Sequence, residues 1–223
     1  MSFNDNTKTV VFGGTSGIGR AVADALESRS GTVLRAGRST GLDVSDQAAV
    51  MAWFEQHGPV DHMIFTAGSQ APGGVVKDLD LEAAKSAFDI KFWGAIGIAQ
   101  VAATHLRPQG TLTFTSGFLA RRTVPGTFVK TAINAALEAS VKLLAKELAP
   151  IRVNIVSPGL TDTEAYSAMS DEKRREMLEG TAAKLPAGRV AQPEDVAAGY
   201  LFAIDNPSMT GAVIDIDGGA LIN

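Results

Sequence analysis

KTVVFGGTSGIGRAVADALESR, residues 8–29, decides the fold. Its first part, KTVVFGG (8–14), is a short apolar run closed by glycines and reads as a buried strand. Its second part, GIGRAVADALESR (17–29), places Ile18, Val22, Ala25 and Leu26 at helical spacing. The turn between them, GGTSGIG (13–19), carries glycine where a strand must pass straight into a helix. Gly13 allows the tight turn, Gly17 lets a ligand approach the backbone, and Gly19 lets helix and strand pack closely. With Thr15, Ser16 and Ile18 the glycines form a loop whose free N–H groups and helix dipole suit a pyrophosphate.

The same alternation continues along the chain. TVLRAG (32–37) reads as a second strand. SDQAAVMAWFEQHG (45–58) reads as a helix capped by Ser45 and closed by Gly58. VDHMIFTAG (60–68) is a third strand, and a long helix follows from about Leu81 to Leu106. GTLTFTSG (110–117) is strand-like. TFVKTAINAALEASVKLLAKELA (127–149) reads as one helix, with apolar residues at Phe128, Ala132, Ala135, Ala139, Leu143 and Leu144. IRVNIVSPG (151–159) is a strand, PEDVAAGYLFAI (193–204) a helix with Pro193 at its start, and AVIDIDGG (212–219) the last strand. Strands alternating with helices imply a parallel sheet covered on both faces. No linker or repeat divides the chain, so residues 1–223 are expected to form a single domain. The longest irregular stretch, Leu160 to Val190, contains a charged helix at 170–180 and is either a lid over a site or a surface excursion.

Composition narrows the function classes. The chain has 223 residues, of which 45% are hydrophobic, with a net charge of −4. Nothing in that balance predicts nucleic-acid affinity. There are no cysteines, which excludes disulfides and thiolate metal sites. MSFNDNTKTVVF lacks a signal pattern and no apolar run reaches the length of a membrane span, so a cytoplasmic protein is expected. His57, His62 and His105 are scattered, and no metal site is expected.

The second strand ends at AGRST (36–40) with no acid. An acid about 20 residues past the glycines would hold ribose hydroxyls, whereas an arginine accepts a 2′-phosphate. Arg38, with Ser39 and Thr40 beside it, therefore favours NADP(H) over NAD(H).

In this order the segments resemble the short-chain dehydrogenase/reductase family over essentially the full length. GGTSGIG resembles its Gly-x-x-x-Gly-x-Gly. Asp43-Val44 resembles the pair that contacts adenine, and Thr66-Ala67-Gly68 its Asn-Asn-Ala-Gly with the asparagines replaced. RVNIVSPG (152–159), GRVAQPEDVA (188–197) and DGG (217–219) resemble further hallmarks. The resemblance implies a Rossmann-type doubly wound sheet of about seven strands. It also implies cofactor contacts from Pro158, Gly159, Leu160 and Thr163, and a homodimer or homotetramer packed through the helices at 81–106 and 127–149.

The resemblance further implies a catalytic tetrad of Asn, Ser, Tyr and Lys, and here the chain departs. NAALEASVKLLAKELA (134–149) aligns with the segment that begins at the catalytic lysine. Asn134 then stands at the lysine position and Lys130 at the tyrosine position. FDIKFWG (88–94) resembles the stretch with the catalytic asparagine, and the residue there is Lys91. Ser116, in TFTSG (113–117), stands as the family's serine. Tyr166 falls in the lid stretch, and Tyr200 among apolar neighbours where a core role is expected. Three readings follow. The chain is a reductase acting on a carbonyl or alcohol through Lys130, Lys91, Asn134 and Ser116. Alternatively it binds NADP(H) without turnover, as a redox sensor or partner-binding subunit. A lyase or dehalogenase without nucleotide is a third class, against which GGTSGIG and Arg38 argue.

Overall fold

The computed structural model describes residues 3–68 and 71–223. Strand β1 (Lys8–Phe12) leads into helix α1 (Gly17–Glu27), β2 (Thr32–Ala36), α2 (Gln47–His57) and β3 (Val60–Phe65). Then come α3 (Leu81–Phe88), a π-helical turn (Asp89–Trp93), α4 (Gly94–His105), β4 (Leu106–Thr115) and α5 (Phe128–Glu147). The chain closes with β5 (Arg152–Pro158), α6 (Asp171–Ala182), α7 (Pro193–Asp205) and β6 (Val213–Ile216).

The strands form one parallel sheet in the order β2-β1-β3-β4-β5-β6. Successive strand residues serve opposite faces. Val10 and Phe12 join the core beneath α2, α4 and α5, whereas Val11 packs under α1 and α7. Both faces of the sheet are thus buried, which is why these strands read as unbroken apolar runs rather than as alternating ones. The expected seven strands are corrected to six. The reason lies after β2, where residues 37–46 are taken up by a 3-10 turn at Arg38–Thr40 and the entry to α2. No length remains there for another strand and crossover, so β2 is the sheet's edge.

Two local readings also change. Ser45 does not cap α2. Asp46 accepts from the Ala49 N–H at 3.0 Å and is the cap, while the Ser45 hydroxyl donates to Asp43. On α5 the buried stripe is Val129, Ile133, Leu137 and Val141, at strict four-residue spacing. Phe128 and Leu143 stand out in solvent at 55% and 57% exposure. Alanine fits either face of such a helix, so an alanine-rich apolar pattern left its orientation ambiguous. The helix from Leu81 to His105 is continuous in direction, but its middle widens to the π turn at Asp89–Trp93. Such turns insert one extra residue and re-aim a side chain, and Lys91 lies on this one. Tyr200 is fully buried with its hydroxyl 2.6 Å from Thr115 Oγ1, the core role expected of it.

Among the described residues no helix is long and apolar enough to cross a membrane. No group of three or more His, Asp or Glu is placed to hold a metal there.

Candidate active site

Neighbouring strands β1 and β3 send their chains to opposite faces of the sheet, and open α/β sheets bind ligands in the crevice this creates. A cavity of about 490 Å³ lies there. Gly13, Thr15, Ser16, Gly17, Ile18 and Gly19 line it from the first loop, and Arg38, Ser39, Asp43 and Val44 from the segment after β2. Ala67, Gly68 and Thr163 close it. Thus thirteen residues singled out from widely separated stretches meet in one cleft. Thr66, Ile90 and Thr115 also line it. Pro158, Gly159 and Leu160 do not. Gly159 packs against the Asp217 backbone and donates to Ile216 O, and Leu160 faces a separate cavity of about 200 Å³.

The glycines are needed by geometry. Gly13 and Gly17 have φ of +84° and +49°, in the left-handed region where a side chain is strained. A Cβ on Gly19 would fall on the Gly13 carbonyl oxygen and Thr66 Oγ1. The loop also receives an anion within the structure. The Gly17 N–H donates to Glu164 Oε2 at 3.0 Å, and Glu164 pairs with Arg20. The carboxyl of Glu164 is held below its usual range by its own backbone N–H first, then by Gly17 and Arg20. A nucleotide's phosphate oxygens fit the same N–H groups. Arg38 stands exposed at the cleft's lip, while nearby Arg35 is committed to Asp24 and Glu27. Thr15 and Ser39 hydroxyls meet at 2.8 Å beside it. Ser45 chiefly, and Arg38 secondarily, hold Asp43 below the usual carboxylate range.

The tetrad-like residues assemble beside the cleft. Lys91 Nζ donates to Asn134 Oδ1 at 2.7 Å and to the Ser116 carbonyl at 3.2 Å. Burial pushes the Lys91 ammonium down from 10.5 to about 8, and the charge of Lys130 pushes it the same way. Asn134 is buried at 5% exposure, whereas Lys130 is exposed. Lys91, Lys130 and Asn134, with Ala71 and Ile133, surround a second cavity of about 190 Å³. Ile90 lines the large cleft and the next residue, Lys91, lines this cavity, so consecutive residues of the π turn border the two spaces.

Ser116 is placed differently from Lys91. Its hydroxyl donates to Glu138 Oε1 at 2.8 Å, and what it presents to Lys91 is its carbonyl. Glu138 is braced by Arg121 Nε at 2.9 Å, and Arg121 pairs in turn with Asp215. The next position, Gly117, is the one whose side chain would point at Asn134, since a Cβ there would lie 2.9 Å from its Nδ2. Glu138 and Glu164 escaped the sequence reading. Glu138 had a signal, because it lies four residues after Asn134 and shares its face of α5.

Comparison with known proteins agrees with this fold. The family model described as "Enoyl-(Acyl carrier protein) reductase" matches residues 34–220. "Short-chain dehydrogenase/reductase fsr5" of Gibberella fujikuroi is 26% identical, over 97% of this chain and 95% of its own. "Short-chain dehydrogenase/reductase ucsE" of an Acremonium species is 30% identical, over 96% of this chain and 94% of its own. A structure described as a small-chain dehydrogenase in complex with NADPH superposes with a TM-score of 0.95 at 54% identity, over 98% of this chain and 100% of that one. The chain belongs to the short-chain dehydrogenase/reductase family.

Proposed function

We propose that the protein is an NADP(H)-dependent oxidoreductase that reduces a carbonyl compound, or oxidises the matching alcohol, through a lysine-based site. The observation that carries the reading is the contact of Lys91 Nζ with Asn134 Oδ1 at 2.7 Å. Two polar groups have exchanged helices. The amide sits on α5 where the family's lysine is expected, and the ammonium reaches the same spot from the π turn. The charge is kept at that place although its residue has moved. The solved relative crystallised with NADPH, the glycine loop and Arg38 support the nucleotide.

Bound NADPH would supply hydride from its nicotinamide C4 to the carbonyl carbon. The phosphates would take the N–H groups that now hold Glu164, and Arg38 with Ser39 the 2′-phosphate. Lys91 holds an ammonium over the boundary between cleft and cavity, oriented by Asn134 and Ser116. Lys130, opposite it, gives its proton to the carbonyl oxygen as negative charge develops there. Glu138 and Arg121 fix the Ser116 segment that positions Lys91. The segment 160–190 acts as a lid, with Thr163 on the cleft and Glu164 as its latch. Exposed Trp93, Phe128 and Leu143 on the two long helices support a homodimer or homotetramer packed through them.

The test is a thermal shift with NADPH against NADH, followed by NADPH oxidation over a panel of reactive carbonyls with native protein and Lys130→Met. The reading expects stabilisation by NADPH and turnover that Lys130→Met removes. Unchanged turnover in a variant that still binds NADPH refutes the role of Lys130.

A further inference from the structure

The cavity of about 190 Å³ beside the nucleotide cleft has an unusual charge balance. Two ammonium groups, Lys91 and Lys130, line it together with the Asn134 amide, against the apolar Ala71 and Ile133. Lys91 has two neutral acceptors, Asn134 Oδ1 and Ser116 O, which leaves its third N–H to the space. Among the described residues no carboxylate pairs with either lysine. The acid nearest along α5, Glu138, is already held by the Ser116 hydroxyl and Arg121. Met1, Ser2, Ser69 and Gln70, outside the description, have no carboxylate to offer. Two like charges beside one small space repel, and an ammonium taken from water without a counter-ion is costly. That cost falls when an anion enters.

We propose that this cavity is an anion-binding subsite and that the substrate is a small carbonyl compound with a carboxylate next to its carbonyl, a 2-oxo acid being the simplest case. The inference rests on the reductase reading for its chemistry and adds the substrate class. The carboxylate lies between Lys91 and Lys130 and accepts from both. The carbonyl carbon then faces the cleft wall at Ile90 and Thr115. Hydride adds to that carbon, the C=O π bond opens onto oxygen, and Lys130 supplies the proton. The 2-oxo acid becomes a 2-hydroxy acid while NADPH becomes NADP⁺. The apolar faces of Ala71 and Ile133 accept a short alkyl chain, and the volume excludes a long one.

The test compares 2-oxobutanoate with 2-oxobutanamide, which share a shape and differ in charge. Calorimetry on the apoprotein is expected to give at least tenfold tighter binding of the acid. Lys130→Met, an exposed substitution, is expected to remove that preference by weakening the acid about tenfold more than the amide. Equal affinity of acid and amide, binding of neither, or an acid preference that survives Lys130→Met would overturn the subsite. Turnover separates the two readings. If NADPH reduces the amide as fast as the acid, the anion subsite fails and the reductase reading stands. If the acid binds through Lys130 but neither compound nor any other carbonyl is reduced, the subsite stands and the reductase reading fails.

Discussion

Lys91→Met is the perturbation whose outcome can be worked out most fully. In the folded chain Lys91 loses its proton near pH 8, against an ordinary 10.5. The gap is worth about 3 kcal/mol at ~1.4 kcal/mol per pH unit. Because burial lowers the value, the folded state pays this cost in full below pH 8, and the cost fades as pH rises towards 10.5. Methionine never pays it, but it leaves Asn134 Oδ1 and the Ser116 carbonyl without their donor, at about 1–3 kcal/mol each. At pH 7 the two effects nearly offset, and the variant is expected within a few kcal/mol of native. At pH 10 the native lysine is neutral in the fold and still donates, so native protein gains about 2–3 kcal/mol that the variant cannot gain. For a chain of this size that is a Tm gap widening by about 5–10 °C. Urea unfolding of both proteins at pH 7 and pH 10 measures the free-energy gap, and subtraction cancels every titrating group that does not interact with Lys91. Parallel pH profiles would refute the half-buried, unpaired ammonium.

Three further outcomes follow from the cleft. Arg38→Ala is expected to weaken NADPH by roughly tenfold or more, from ~1.5–3 kcal/mol for a hydrogen bond to a charged group, and to leave NADH unchanged. Fluorescence titration with both nucleotides checks it, and a retained NADPH preference contradicts the 2′-phosphate assignment. Glu164→Gln removes the carboxylate that occupies the Gly17 N–H and should tighten NADPH about two- to fivefold, the worth of a charge at a helix N-terminus; weaker binding would make Glu164 a ligand rather than a latch. Gly19→Ala drives a methyl into backbone at Gly13 and is expected to lower stability by about 1–3 kcal/mol or more, seen as a fall in Tm, with an unchanged Tm speaking against the packing.

The fold was legible because its signals are local. Glycine spacing in GGTSGIG, apolar runs of strand length and Pro193 at a helix start each depend on a few consecutive residues. The sheet's last strand and its parallel order followed from the alternation, Gly13 and Arg38 from their spacing, and Asp43 and Thr163 from the family resemblance. Three features were not legible. The extra residue in the π turn leaves no mark in the pattern FDIKFWG, nor does the reach of Lys91 from that turn to Asn134 on another helix. The direction of the Ser116 hydroxyl depends on Glu138 and Arg121, and that partnership spans β4, the following loop and α5. Side-chain pairing across elements is set by packing, which sequence spacing alone does not encode. The orientation of α5 failed for a simpler reason, since Ala132, Ala135 and Ala139 suit a buried and an exposed face equally.

The account stands on Lys130 and Lys91 supporting hydride transfer in place of the family's tyrosine and lysine. The most direct measurement is deuterium transfer from NADPH labelled at nicotinamide C4, with mass spectrometry of the product after incubation with 2-oxobutanoate and a panel of neutral carbonyls. Deuterium is expected on the carbinol carbon with native protein, and its loss is expected with Lys130→Met. Full NADPH binding with no label in any product would contradict it and make the protein a nucleotide binder without turnover.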